Sequence, residues 1–271
     1  MQVSTATVVG AGVMGAGIAQ VLAIAGVDVR LHDRSKEALD GAAERVEHGR
    51  FGLRRAAEIG KLSEDPDVVL ARISRTADLE EACAGTDLVV EAVFEDYPLK
   101  IGVFGELDRL TPEHAILASN TSGLSIAALA AGTRRPERVI GWHWASPAPA
   151  MKLAEIVVHG ATDDDVRDTV VELAARCGKN PEVVRDTALA WGFVANRVLM
   201  AVFREADTIV REGVAEPAQV DQLLKDCFRW PVGPFEMRGG TSTGWEERGD
   251  DAAPPPEQDI RNQLLRPQIE R

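Results

Sequence analysis

Residues 5–15 read Thr-Ala-Thr-Val-Val-Gly-Ala-Gly-Val-Met-Gly, and this stretch decides the fold. Its first five residues form a short apolar run that predicts a strand, and a helix-forming run, residues 16–25, follows directly. Gly10 permits a tight turn, Gly12 lets the backbone approach a pyrophosphate, and Gly15 lets the helix pack closely on the strand. The free amides at the N-terminus of the helix then face an anion, so the stretch predicts a phosphate-binding turn.

An acidic residue after a second predicted strand extends this turn to a dinucleotide site. Residues 27–31 are apolar, and Asp33 follows at the interval of about 20 residues at which a carboxylate accepts hydrogen bonds from a ribose diol. We therefore predict a dinucleotide that also contacts Val13 and Met14 in the first helical turn. Asp33 repels a 2'-phosphate, which favours NAD over NADP, although Arg34 lies beside it. The competing interpretation is a glycine turn that binds nothing.

The composition of the chain is that of a soluble globular protein. Its 271 residues are 45% hydrophobic and 27% charged, and no apolar run approaches the about 18 residues of a membrane span. The apolar N-terminus is read as the first strand and not as a signal peptide, so we expect a cytoplasmic protein. The net charge of -13 argues against nucleic acid as a partner. The three cysteines are scattered without metal-ligand spacing, and we predict no metal.

The pattern of elements predicts two domains and a tail. Strands and amphipathic helices alternate over residues 1–187, including one long polar helix over residues 35–59, which is typical of a Rossmann-type α/β domain with a mostly parallel sheet. Residues 188–240 show helical spacing alone and predict a smaller all-α C-terminal domain. Residues 241–271 are polar and predict a loosely ordered tail with one further helix over residues 257–265.

Polar side chains occur where the predicted strands end, which is the edge at which an open α/β sheet binds ligands. These side chains are Glu91 and Glu95 with the nearby Lys100, then Ser119, Asn120, Thr121 and Ser122, and finally His143. Each has a structural explanation as well. Residues 120–122 are well suited to cap the following helix, and a histidine is often held in a core by a backbone carbonyl.

Glu155 is the polar residue that is hardest to explain structurally. It lies between Ala154 and Ile156 in an apolar strand, where a carboxylate needs a hydrogen-bonded or charged partner. His143 is the nearest candidate. A carboxylate that orients a histidine fixes its tautomer and stabilises the imidazolium, which is the usual construction of a general base.

Six stretches in a fixed order resemble the L-3-hydroxyacyl-CoA dehydrogenase family. They are residues 9–20 (VGAGVMGAGIAQ), 87–93 (DLVVEAV), 118–122 (ASNTS), 151–155 (MKLAE), 192–197 (GFVANR) and 233–236 (GPFE). The resemblance implies NAD-dependent oxidation of the 3-hydroxyl of an acyl thioester, with an acyl-CoA as substrate. It also implies a homodimer, which we expect to form through the apolar face of the helices near residues 194–210.

The resemblance assigns roles to particular side chains. His143 is the expected base, Glu155 orients it, Ser122 holds the substrate oxygen near the nicotinamide, and Asn196 completes the polar pocket. The expected cofactor contacts beyond the glycine turn and Asp33 are Glu95, Lys100, Asn120, Ser122 and Ser146. For Lys100 the alternative is an ordinary solvated lysine on a helix surface.

Two departures from the family pattern bear on the substrate. The family reads His-Phe-Phe-Asn-Pro where this chain has His143-Trp-Ala-Ser146-Pro, and a serine lacks the amide fork of asparagine. Gly52 and then Glu58 or Ile59 stand where the family has a serine and a lysine that contact coenzyme A. Three nearby arginines could replace the missing coenzyme A contacts or could form a solvated basic face. They are Arg50, Arg54 and Arg55.

These departures keep other functions open. The runner-up is a related NAD-dependent dehydrogenase of a carrier-protein-bound hydroxyacyl group or of a free hydroxy acid. A catalytically silent NAD-binding protein is the third possibility, and the joint presence of Ser122, His143, Glu155 and Asn196 argues against it.

Overall fold

A computed structural model describes residues 2–187 and 190–241 of the chain. They divide into two compact units, the first ending at Phe193 and the second beginning at Val194. The division lies six residues beyond the predicted limit at residue 187. Phe193 is buried with a core cluster of the first unit, and the Gly192 amide donates to the Gly123 carbonyl oxygen at 3.2 Å.

The first unit is built on one eight-stranded sheet with the order β3-β2-β1-β4-β5-β6-β7-β8. In chain order the strands are β1 (Thr5–Val9), β2 (Asp28–His32), β3 (Ile73–Thr76), β4 (Leu88–Glu91), β5 (Ile116–Ser119), β6 (Val139–Trp144), β7 (Leu153–Val158) and β8 (Asn180–Arg185). All neighbouring strands are parallel except β6 and β7, which are antiparallel. The predicted Rossmann-type, mostly parallel sheet is confirmed.

Helices cover both faces of the sheet, as a parallel sheet requires. They are α1 (Val13–Ile24), α2 (Lys36–His48), α3 (Leu53–Glu58), α4 (Pro66–Leu70), α5 (Leu79–Cys83), α6 (Tyr97–Leu110), α7 (Ile126–Ala130) and α8 (Asp164–Arg176), with a 3-10 helix at Pro136–Arg138. Ile18 of α1 and Val170 of α8 belong to one buried cluster, while Phe104 of α6 and Leu129 of α7 belong to another.

The predicted single helix over residues 35–59 is wrong, because the chain breaks into α2 and α3. Gly49 ends α2, and a Cβ at this position would lie 2.5 Å from the Arg45 carbonyl oxygen. The Gly52 amide then donates to the Gly49 carbonyl oxygen at 2.7 Å and closes a turn. The following segment contains α4, whose start the Asp65 carboxylate caps by accepting from the Asp67 amide.

The second unit is helical over its described residues, with α9 (Val194–Arg211), α10 (Pro217–Phe228) and α11 (Pro234–Thr241). The all-α character predicted for this part of the chain is confirmed. Helix α11 was not predicted. Its first turn is held by Asp221 of α10, whose carboxylate accepts from the amides of Phe235 at 2.8 Å and Glu236 at 3.0 Å. The predicted helix over residues 257–265 lies outside the described residues, as does the predicted tail beyond Thr241.

Across the two described ranges, no helix has the length and apolar composition needed to cross a membrane. The strand order reverses direction between β1 and β4, which is the point at which open α/β sheets form a ligand crevice. Because β1, β4, β5 and β6 are parallel, their carboxyl ends meet at this one edge of the sheet. The fold therefore brings together the residues that follow these four strands.

Candidate active site

The glycine turn after β1 leaves open space where a phosphate group would lie. Gly10 has a φ of 104°, and a Cβ there would lie 2.5 Å from the Ala92 carbonyl oxygen after β4. A Cβ on Gly15 would lie 1.7 Å from the Gly10 carbonyl oxygen, so both positions need glycine. By contrast, a Cβ on Gly12 would meet no atom within 4 Å, and no side chain caps α1 at this residue. The amides at the start of α1 thus border an open cradle suited to an anion.

Asp33 lies beside this cradle and is tied to it by backbone hydrogen bonds. Its Oδ2 accepts from the Ala11 amide at 2.8 Å, and its Oδ1 accepts from the Ser35 amide at 2.9 Å. Arg45, which no sequence pattern indicated, also contacts the turn, because its guanidinium donates to the Ala11 carbonyl oxygen at 3.0 Å. The neighbouring Arg34 side chain is 80% exposed and lies 3.8 Å from Glu106.

Lys100 is buried, so its interpretation as a solvated surface lysine is wrong. Its side chain is 1% exposed, and its Nζ lies 2.6 Å from Oε1 of Glu91, whose side chain is 0% exposed. The same Nζ donates to the Val93 carbonyl oxygen at 3.2 Å and lies 3.4 Å from Glu95. The second oxygen of Glu91 accepts from Ser119 Oγ at 2.6 Å. This network links the carboxyl ends of β4 and β5.

Glu95 holds the loop that carries Ser122. Its Oε1 accepts from Thr121 Oγ1 at 2.5 Å and from the Ser122 amide at 2.9 Å. Asn120, on the same loop, accepts from the Trp144 amide at 3.1 Å and so braces the loop against the end of β6. The cap of helix α7 is Ser125, so the interpretation of residues 120–122 as its cap is wrong.

His143 and Glu155 lie directly opposite each other on the antiparallel strands β6 and β7. Such cross-strand neighbours point to the same face, and here the two side chains meet. His143 Nδ1 lies 2.7 Å from Oε2 of Glu155, with both residues buried. The ring of Phe193 packs on the imidazole at a centroid distance of 5.9 Å. Since a carboxylate only accepts, Nδ1 carries the proton and the lone pair of the neutral imidazole is on Nε2.

The remaining predicted site residues lie in two different places. Ser146 is exposed and follows β6 in the segment after His143, where a cis peptide bond joins it to Pro147. Asn196 is the third residue of α9 and belongs to the second unit. Ser122, His143 and Glu155 therefore lie in the first unit, and Asn196 lies in the second.

The arginines considered as a substitute coenzyme A anchor are mostly engaged with neighbouring acids. Arg54 lies 2.8 Å from Glu47 and also pairs with Asp67. Arg55 pairs with Glu58 at 3.0 Å. Arg50 stands over the ring of Phe51 at 5.5 Å from its centroid. These contacts favour the solvated basic face for Arg54 and Arg55.

Sequence reasoning placed Glu91 at the ligand edge of the sheet but did not predict its ion pair with Lys100, and it missed Phe193. Glu91 carries the same signal that identified the need of Glu155 for a partner, a carboxylate beside apolar strand residues, and the rule applied there would have predicted a partner for Glu91 as well. Phe193 has no such signal, because an aromatic residue at the start of a helix is compatible with many roles. Its contact with the imidazole depends on how the segment at Gly192 lies on Gly123.

Comparison with known proteins points to one family. The model of the "3-hydroxyacyl-CoA dehydrogenase, NAD binding domain" family matches residues 5–187, and the C-terminal domain model of the same family matches residues 192–249. A probable 3-hydroxybutyryl-CoA dehydrogenase of Bacillus subtilis is 42% identical over 238 residues, which are 88% of this chain and 80% of that protein. Its counterpart in Deinococcus radiodurans is 42% identical over 230 residues, 85% of this chain and 80% of that protein.

A solved structure of this family has a similar fold. The crystal structure of the (S)-3-hydroxybutyryl-CoA dehydrogenase of Ralstonia eutropha superimposes with a TM-score of 0.82 at 37% sequence identity, over 87% of this chain and 81% of that chain.

Proposed function

The chain belongs to the family of NAD-dependent 3-hydroxyacyl-CoA dehydrogenases, and on that premise we propose that His143 is its general base. The enzyme oxidises the 3-hydroxyl of a 3-hydroxyacyl-CoA to a ketone. The hydrogen-bonded pair of His143 and Glu155, at 2.7 Å, is the observation that carries the proposal. No other histidine in the described residues is hydrogen-bonded to a buried carboxylate at the ligand edge of the sheet.

The residues of the glycine turn fit the cofactor of this family. The open space over Gly12 and the uncapped start of α1 leave room and amide donors for a pyrophosphate. Asp33 is positioned beside the turn to accept from a ribose diol, and its charge disfavours a 2'-phosphate. When bound, NAD supplies the nicotinamide that accepts the hydride.

His143 removes the hydroxyl proton in this proposal. Nε2 has the lone pair because Nδ1 donates to Glu155, and the nearby carboxylate stabilises the imidazolium as it forms. Burial of the pair strengthens this stabilisation, because fewer water molecules screen the two charges.

We assign the oxygen of the substrate to Ser122 and the completion of its polar pocket to Asn196. A hydroxyl and an amide both donate hydrogen bonds to developing negative charge, which is the kind of contact that lowers a barrier of this type. The tie between Glu95 and the Ser122 amide supports the assignment, because it holds the loop in one conformation. Glu95, Lys100, Asn120 and Ser146 are proposed to line the cofactor side.

The proposal includes a homodimer and a cytoplasmic location. Helix α9 presents apolar side chains to solvent, with Val198 61% exposed, and burial of such a face against a second copy is favourable. Light scattering coupled to size exclusion tests the dimer. Cell fractionation tests the location.

The test follows NADH formation by absorbance with 3-hydroxybutyryl-CoA in the wild type, His143→Ala and His114→Ala. His114 is the matched control, because it is also a histidine beside a carboxylate, 3.4 Å from Asp87, but is 53% exposed. We expect kcat to fall by about 10²–10⁴-fold in His143→Ala, the usual contribution of a positioned base, and to stay near wild type in His114→Ala. Turnover with NADP is expected to be much slower.

The other outcomes identify the alternatives. If the enzyme turns over only a hydroxyacyl group on an intact carrier protein, or only a free hydroxy acid, that compound and not an acyl-CoA is its substrate. NAD binding without hydride transfer on any of these substrates would contradict the enzymatic proposal.

A further inference from the structure

Lys179 is a buried cation whose partners carry no charge. It follows α8, and only 6% of the residue is exposed. Its Nζ donates to the carbonyl oxygens of Ala148 at 2.5 Å and Met151 at 2.7 Å. It also lies over the ring of Trp144 at 5.2 Å from the centroid. A single side chain thus contacts the middle and the last residue of the segment that follows Trp144, together with the indole of Trp144 itself.

That segment, residues 145–151, connects β6 to β7 and carries Ser146. It forms a turn in which the amides of Ala150 and Met151 donate to the Pro147 carbonyl oxygen at 3.0 and 3.1 Å. Its other side packs on α1. A Cβ on Gly17 would lie 3.0 Å from Pro149 Cδ and 3.2 Å from the Ala148 Cβ. A larger residue at position 17 would therefore press on the segment.

We propose that Lys179 is a positioning residue that fastens residues 145–151 against the cofactor-binding helix α1 and thereby sets the place of Ser146 beside the reacting groups. The inference deepens the proposed function and rests on it. Lys179 does not touch the substrate in this account. It acts through the two carbonyl groups that it holds and through the indole of Trp144.

A purely structural role explains these contacts poorly. Burial of an ammonium is costly, and an apolar side chain of similar length would fill the same volume without that cost. In keeping with this cost, burial lowers the pKa of Lys179 to about 8. Two carbonyl groups and the indole face compensate the charge in part. Beyond packing, the lysine contributes two directional hydrogen bonds that fix the position of one loop.

The experiment compares Lys179→Met and Lys179→Arg with the control Lys152→Met. Lys152 is exposed and donates to the Gly178 carbonyl oxygen at 2.8 Å, so it is a neighbouring lysine with one carbonyl partner outside the segment. The readouts are kcat and KM with 3-hydroxybutyryl-CoA, the Kd of NAD, thermal unfolding and hydrogen exchange of the peptide that contains Ala150 and Met151.

We expect Lys179→Met to lower kcat by about 10²-fold, the scale of a misplacement near 1 Å, and to leave the Kd of NAD within a few-fold. Asp33 and the glycine turn, which would hold the adenosine end of the cofactor, are not touched by the change. Lys179→Arg keeps a cation and its donors and is expected to recover at least tenfold of the lost kcat. Ala150 and Met151 are expected to exchange faster in the Met variant, while Lys152→Met keeps wild-type exchange and kcat.

A second variant distinguishes a positioning effect of Lys179 from a general loss of folding. Gly17→Ala presses on the same segment from the other side, so its effect on kcat should not add to that of Lys179→Met in the double variant. Full additivity, or a folded Lys179→Met enzyme with wild-type kcat and exchange, would overturn the inference. So would equal losses of kcat and thermal stability in the Met and Arg variants. Absence of turnover in the wild type rejects the proposed function instead, and the exchange data then still report on the segment.

Discussion

The carboxylate of Glu155 lies 2.7 Å from Nδ1 of His143, directly across an antiparallel strand pair. The strand register, and not a flexible loop, sets this contact. Both side chains are buried, so neither can turn to water without an energetic cost. The pair is therefore organised before any substrate binds.

Removal of the charge on Glu155 is expected to slow catalysis more than it weakens binding. Glu155→Gln keeps the shape but removes the charge that stabilises the imidazolium, so we expect kcat to fall by about 10–10²-fold, part of the usual contribution of a base, with little change in KM. Steady-state NADH formation measures both. The control is Glu182→Gln, since Glu182 is paired with Glu155 in the register of β8 but is exposed. A kcat equal to that of the wild type would contradict the role of Glu155.

Two glycines of the cofactor turn should respond differently to the same added methyl group. Gly15→Ala places its Cβ 1.7 Å from the Gly10 carbonyl oxygen, so we expect a marked loss of folding stability. Gly12→Ala meets no protein atom within 4 Å and has an ordinary φ of -68°. We expect it to fold normally and to bind NAD at least about tenfold more weakly, because its Cβ occupies the space of the pyrophosphate.

Thermal unfolding without NAD and titration calorimetry with NAD separate these two effects. Gly26→Ala is not a suitable control because Gly26 has a positive φ, whereas Gly102→Ala on α6 also meets no atom within 4 Å. If Gly12→Ala binds NAD with normal affinity, the pyrophosphate does not lie against Gly12 in the glycine turn.

Lys100 is expected to contribute strongly to folding stability because it neutralises a buried acid. Lys100→Met leaves the carboxylate of Glu91, with 0% of its side chain exposed, without its cation. Breaking a buried pair in this way typically costs about 3–5 kcal/mol of the free energy of unfolding. The added change Glu91→Gln should restore part of the loss, since it removes the unpaired charge. Urea unfolding without NAD measures these differences.

The exposed pair of Lys225 and Glu236, at 2.6 Å, supplies the comparison. Lys225→Met is expected to change stability much less, because water already screens that pair. Equal effects of the two lysine variants would show that burial of Lys100 is not what makes it important.

Local patterns predicted the parts of this fold that depend on neighbouring residues. The apolar run before Gly10 and the glycine spacing predicted β1, the turn and α1 because each residue acts on its own backbone. The contact of His143 with Glu155 was accessible for a different reason: a carboxylate in an apolar strand needs a partner, and few residues qualified.

Contacts between different structural elements decided what the sequence could not show. The burial of Lys100 depends on Glu91 and Val93 meeting it at the end of β4. The first turn of helix α11 is held by Asp221 of the preceding helix α10, which accepts hydrogen bonds from the amides of Phe235 and Glu236. The contacts of Lys179 depend on the path of residues 145–151, which no periodicity encodes.

The last prediction concerns stability in mild acid and rests on His32. This residue ends β2 and is 4% exposed, with Nδ1 3.2 Å from the Thr76 carbonyl oxygen. Burial lowers its pKa, even though the hydrogen bond to Thr76 favours the charged form. Between the folded pKa and the value of about 6.5 expected in an unfolded chain, the unfolded state binds more protons, so acid favours unfolding.

The His32 contribution to stability is therefore complete above the unfolded pKa and is lost as the pH falls through the folded one. His32→Gln keeps an amide donor for Thr76 but does not titrate. We expect the free energy of unfolding of this variant, measured in urea between about pH 7.5 and 5, to fall less steeply with acidification than that of the wild type. His114→Gln is the control, because it makes the same replacement at a histidine that is largely exposed. The His32 carbonyl oxygen accepts from the Gly10 amide at 2.8 Å, so protonation that loosens His32 should also weaken NAD binding over the same pH range. An unchanged slope in His32→Gln would mean that the imidazole gains enough water or charge compensation to be protonated without cost.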